Sequence, residues 1–157
     1  MKNTVLMGIS GCGKTTLIQA LTHRPLEYAK TQSIQRCLQF IDTPGEYMEI
    51  RHFYRALIVT AADADEVGLV QDVGRQTSWI PPAFASTFAK PVFGIVTKTD
   101  LAPDQATLDR ARDVLVRAGA GVIFEVSAVG GQGLDDLWRY LNADDEAMVE
   151  QAEVAMT

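Results

Sequence analysis

Gly8-Ile9-Ser10-Gly11-Cys12-Gly13-Lys14-Thr15 is the stretch that decides how this chain is read. It meets G-x-x-x-x-G-K-[ST] at every fixed position. Glycines let the backbone bend until successive N–H groups face one point, and a helix beginning at Lys14 adds the positive end of its dipole. A loop of this kind cradles phosphates. Gly8, Ser10, Gly11, Cys12, Gly13 and Thr16 are its expected lining. The Lys14 amine reaches the β- and γ-phosphates, and the Thr15 hydroxyl is a Mg²⁺ ligand. The motif has the context it needs: Thr4–Met7 reads as a strand and Lys14–Thr22 as a helix that stops before Pro25.

Outward from the loop, short apolar runs alternate with helical patterns. Leu38–Ile41 reads as a strand ending at Asp42, Glu49–Ala62 as a helix with Phe53, Leu57 and Ile58 on one side, and Val67–Val70 as a strand. Pro82–Phe88 reads as a short helix and Val92–Thr97 as a β-branched strand. Asp104–Ala118 is a helix with Leu108, Ala111, Leu115 and Ala118 on one face; Val122–Val126 is a strand and Leu134–Leu141 a last helix. This alternation predicts a three-layer α/β domain with a mainly parallel sheet, whose ligand sits beyond the carboxyl ends of the strands. Residues 1–141 are read as that domain and 142–157 as an acidic tail.

The other candidate site residues fall at predicted strand ends. In Asp42-Thr43-Pro44-Gly45, Asp42 is expected to hold Mg²⁺ through water, and Gly45 to offer an N–H at the γ-phosphate. Alone the tetrapeptide is also a good turn. Thr97-Lys98-Thr99-Asp100 resembles the guanine-specificity motif of GTPases. A carboxylate at Asp100 accepts from guanine N1–H and the 2-amino group together, a donor pair adenine lacks. The stem of Lys98 would lie on the base. Ser127-Ala128, followed by a glycine run, resembles the loop whose backbone N–H meets the guanine oxygen. The order of these motifs resembles that of the Ras-like and translation-factor-like GTPase superfamily from about Val5 to Leu141.

A closer resemblance rests on Asp42-Thr43-Pro44-Gly45-Glu46-Tyr47, then Tyr54-Arg55-Ala56-Leu57-Ile58, with Lys30-Thr31-Gln32 upstream. These look like the EutP/PduV family of small P-loop proteins. That resemblance implies a cytoplasmic protein of ethanolamine or propanediol utilisation working beside a bacterial microcompartment, with a shell or other protein as partner. It leaves the reaction open between slow Mg²⁺-dependent GTP hydrolysis and phosphoryl transfer to a small carboxylate, as in an acetate kinase. A nucleotide-binding scaffold with negligible turnover is a third reading.

Some positions carry two readings. Ras-like GTPases place glutamine after the Asp-x-x-Gly glycine to orient water; here Glu46 stands there, a candidate catalytic group or a solvated or salt-bridged carboxylate. Thr31 is the candidate first-switch Mg²⁺ ligand, or it begins the next strand. Cys12 is either a small side chain the loop tolerates or a thiol activated by the helix terminus. Tyr54 and Arg55 form an amphipathic face or a partner surface. His23 and His52 have no companions at ligand spacing.

Composition bounds the function. The 157 residues suit one domain, with 47% hydrophobic and 22% charged residues. A net charge of −6 disfavours nucleic acid as the main partner but not a nucleotide held by one lysine and backbone N–H groups. The early apolar run is too short for a signal peptide, and no run approaches the ~18 residues of a membrane helix. The two cysteines, Cys12 and Cys37, are expected as reduced thiols.

Overall fold

The computed structural model describes residues 2–22, 35–37, 39–74 and 80–143. Its strands are β1 (Thr4–Met7), β2 (Gln35–Cys37), β3 (Phe40–Asp42), β4 (Glu66–Asp72), β5 (Val92–Thr97) and β6 (Ile123–Glu125). They form one sheet in the order β2-β3-β1-β4-β5-β6. Five of them run parallel. Only β2, on the edge, is antiparallel to its neighbour, with Cys37 opposite Phe40. The helices are α1 (Lys14–Leu21), α2 (Glu46–Glu49), α3 (Tyr54–Ala62), α4 (Gln105–Ala118) and α5 (Leu134–Leu141). The expected α/β architecture is therefore present.

Strands covered on both faces lose the apolar–polar alternation of a half-exposed sheet. All four residues of β1 and all seven of β4 are buried, including Thr4, Glu66, Gln71 and Asp72. Chain order reverses at β1, which has β3 on one side and β4 on the other. The connections leaving β1, β3, β4, β5 and β6 all emerge at the carboxyl edge, where Gly8–Thr15, Asp42–Gly45, Thr97–Asp100 and Ser127-Ala128 follow their strands.

The opposite edge is structural. Glu66, at the start of β4, is 2% exposed and accepts from the hydroxyls of Thr4 (3.4 Å) and Tyr140 (3.2 Å). The Tyr140 ring packs 5.1 Å from both Phe93 and Phe124, fastening α5 to the sheet. Burial, then the Glu66 carboxylate, pushes the Tyr140 phenol up to about 12.

Helices α1, α4 and α5 match their expected spans to within a residue. Asp104 caps α4 by accepting from the N–H of Thr107 at 2.9 Å, and Gly119 ends it in the left-handed region. Three expectations change. The single helix over Glu49–Ala62 is broken: Ile50 is extended (φ −113°, ψ 111°), α2 ends before it, and a 3₁₀ turn over Arg51–Phe53 leads into α3. The apolar face also differs, for Leu57 is buried while Ile58 is 41% exposed. Edge strand β2 had no span in the sequence reading beyond the alternative that Thr31 begins a strand, because three residues carry no measurable period. The segment Pro82–Phe88 is a 3₁₀ turn, Phe84–Thr87. Thr31, His23 and the tail beyond residue 143 lie outside the described residues.

Candidate functional site

The turn after β1 is tied to itself and to the connections after β3 and β5. Lys14 is 6% exposed, and its ammonium donates to the carbonyls of Gly8 (2.7 Å) and Ile9 (3.2 Å). It also lies 3.6 Å from Cys12 Sγ. Gly13 caps α1, its carbonyl accepting from Leu17 N–H. Burial pushes the Cys12 thiol above its ordinary range, and the neighbouring Lys14 offsets this only in part. Cys12 is thus a small buried side chain whose surroundings disfavour the thiolate.

The Thr15 hydroxyl donates to Asp42 Oδ2 at 2.5 Å. Two of the three side chains expected at Mg²⁺ therefore meet, although 27 residues separate them; the third, Thr31, lies outside the described residues. Among the described residues no three His, Cys, Asp or Glu side chains gather as a metal cluster.

Gly45 packs on the phosphate loop. A Cβ there would fall on the backbone nitrogen and Cα of Ser10, so no larger residue fits this arrangement. Glu46 follows as the first residue of α2, half-buried. Further along α2, Glu49 also meets the phosphate loop: its Oε1 accepts from the Ser10 N–H at 2.9 Å.

The β5 connection is stitched to the same loop. The Thr97 hydroxyl donates to the carbonyl of Cys12 at 2.5 Å. Lys98, in the left-handed region at φ 59°, donates to the carbonyl of Gly11 at 2.6 Å and to Asp72 Oδ2 at 2.7 Å. Asp72 ends β4, and its other oxygen accepts from Gly74 N–H. Asp100 accepts from the buried hydroxyl of Ser127 at 2.9 Å, and that hydroxyl in turn accepts from Gly130 N–H. Gly11, Gly13, Thr16, Thr97, Lys98, Asp100 and Ala128 line one largely apolar cleft, with exposed Leu101 and Val129 at its rim. A mostly apolar cleft with one carboxylate in it suits a heteroaromatic base.

The structure thus brings every described candidate to one edge of the sheet. Two contributors escaped the sequence reading. Asp72 was detectable, being an acid at a strand's carboxyl end. Glu49 lies within a helical pattern and carries no local signal. Tyr54 is a packing residue, edge-on to Phe84 at 5.3 Å, whereas Arg55 is exposed.

Sheet order, phosphate loop and stitched cleft define a P-loop protein of the GTPase group. Relatives and solved structures agree. GTPase Era of Bradyrhizobium sp. is 28% identical over 87% of this chain and 51% of its own length. A GDP-bound Roco2 RocCORdC structure from Methanosarcina barkeri superposes with a TM-score of 0.63 over 90% of this chain and 47% of that one, at 20% identity, a likeness of fold.

Within that group the chain belongs to the PduV–EutP family, described as ethanolamine utilisation–propanediol utilisation, whose model matches residues 1–143. The propanediol utilization protein PduV of Citrobacter freundii is 41% identical over 94% of this chain and 97% of its own length. The probable acetate kinase EutP of Salmonella typhimurium is 33% identical over 98% and 97%. No helix among the described residues is long and apolar enough to cross a membrane.

Proposed function

We propose that this chain binds guanine nucleotide with Mg²⁺ and hydrolyses GTP slowly, in the setting of ethanolamine or propanediol utilisation. The observation that carries the reading is the stitching of Thr97 and Lys98 to the carbonyls of Cys12 and Gly11. It sets the base cleft and the phosphate loop at a fixed spacing, as a nucleotide requires. Residues 1–141 form the nucleotide-binding unit and 142–157 an acidic appendage.

Each group then has a task. Asp100, oriented by Ser127, accepts from the guanine N1–H and 2-amino group, while the Lys98 stem covers the base beside Ala128. Lys14 turns from its loop carbonyls to the phosphates, and the loop amides from Gly8 to Thr16 receive their oxygens. Thr15 and Asp42 would hold Mg²⁺, which neutralises charge developing on the transferred phosphoryl. The Gly45 N–H faces the γ-phosphate side. Glu46, where a water-orienting glutamine would stand, repels the γ-phosphate and keeps turnover slow. Thr31 is the first-switch candidate for the metal. The protein works in the cytoplasm beside a microcompartment, with a shell or other protein as partner and no nucleic acid.

One observation favours a second reading: relatives 33% identical over nearly the whole chain are named probable acetate kinases. The same loop would then pass the γ-phosphoryl to a carboxylate oxygen, giving an acyl phosphate and a nucleoside diphosphate. Calorimetry with GDP and ADP in Mg²⁺, repeated on Asp100→Asn, tests the base. Preferential GDP binding lost in the mutant is expected; equal or preferential ADP binding would overturn guanine selectivity. Product analysis with GTP and acetate separates phosphate from acyl phosphate.

A further inference from the structure

The phosphate loop already holds an anion of the protein's own. Glu49 Oε1 accepts from the Ser10 N–H at 2.9 Å, across 39 residues of sequence. Ser10 lies at the entry of the loop, away from the α1 terminus where Thr15 meets Asp42. It is also the residue on which Gly45 packs. Its amide therefore faces the γ-phosphate side of the nucleotide, and the β-phosphate belongs nearer Lys14 and the helix.

We infer that Glu49 is a specificity-determining residue that weights this site toward nucleoside diphosphate by standing, as a carboxylate on the Ser10 amide, where the terminal phosphate of a triphosphate must come. The inference rests on the guanine-nucleotide reading above. A carboxylate and a γ-phosphate cannot share one donor: both are anionic, and at contact distance their repulsion is strong. A triphosphate must expel Glu49, whereas a diphosphate leaves it in place.

The chain has a joint for that expulsion. Glu49 is the last residue of α2, a single turn, and Ile50 directly after it is extended and 46% exposed. Swinging Glu49 outward disturbs that short turn and the 3₁₀ turn over Arg51–Phe53, not a long helix. Loss of the Glu49 contact is thus the local event by which a terminal phosphate becomes legible on the surface around α2.

The test is titration of GDP and of the slowly hydrolysed analogue GTPγS, with Mg²⁺, into the native chain, Glu49→Gln and Glu49→Asp. Glu49→Gln removes the competing charge. It is expected to tighten GTPγS by about tenfold, the scale of one charge-assisted hydrogen bond, and to leave GDP within about twofold. Glu49→Asp keeps the charge on a side chain one methylene shorter and gives a smaller shift in the same direction; GDP binding by each variant reports that its site is intact. An unchanged GTPγS-to-GDP ratio, or weaker GTPγS binding, in both variants overturns the inference while GDP binding by the native chain keeps the functional reading. A native chain that binds neither nucleotide overturns that reading and the inference with it.

Discussion

Asp72→Asn removes one charge with almost no change in volume, and it acts on the link between base cleft and phosphate loop. Lys98 Nζ lies 2.7 Å from Asp72 Oδ2, with side-chain exposures of 36% and 9%. At that separation the Coulomb energy is about 1.5 kcal/mol with the dielectric of water and about 6 kcal/mol at an effective value near 20. More than a third of Lys98 is in solvent, so the lower end applies, about 1.5 kcal/mol. Asparagine still offers an oxygen to Gly74 N–H, so the strand end survives. The melting temperature should then fall by about 3–6 °C. Lys98 would keep only the Gly11 carbonyl, and the freedom it regains has to be lost again when nucleotide binds. GDP affinity should therefore drop by up to about tenfold. Thermal melting and GDP calorimetry on the same preparation read both effects. A lower melting temperature with unchanged affinity would confine Asp72 to stability. No change in either would refute the coupling of the two loops through Lys98.

Three further predictions rest on local geometry. Gly133 has φ 74°, and a Cβ there would fall on the carbonyl oxygen of Glu125; Gly133→Ala should cost at least about 2 kcal/mol and lower the melting temperature by roughly 4–8 °C, read by calorimetric melting. The Cys12 thiol, pushed up by burial, should resist iodoacetamide at pH 7.5 in the folded chain and react on unfolding, as peptide mass spectrometry would show. Because the folded state holds the Tyr140 proton to about pH 12, Tyr140 stabilises the fold fully below pH 10. That contribution is lost between about pH 10 and 12. Tyr140→Phe should remove a phenol that titrates near pH 12 from the ultraviolet difference spectrum.

The phosphate loop, the Asp-x-x-Gly turn and the Thr-Lys-x-Asp turn were legible because each is a run of adjacent residues whose spacing carries its chemistry. The long periodic helix α4 and the β-branched strand β5 were legible because their periods repeat often enough to be counted. The break at Ile50 was not: an amphipathic pattern continues across it, and the interruption comes with the docking of Glu49 on a loop 39 residues away. Asp72 likewise acquires a role only when β4 and β5 pair side by side, Asp72 against Thr97, and bring Lys98 beside it.

From sequence alone came the class of fold, the phosphate-loop motif and the family likeness, since all three are written in contiguous motifs and in their order along the chain. Tertiary structure decided which carboxylate sits on the Ser10 amide, which acid holds Lys98, and that the thiol in the loop is buried. These depend on distance and desolvation, and a linear chain has neither until the sheet places its strand ends together.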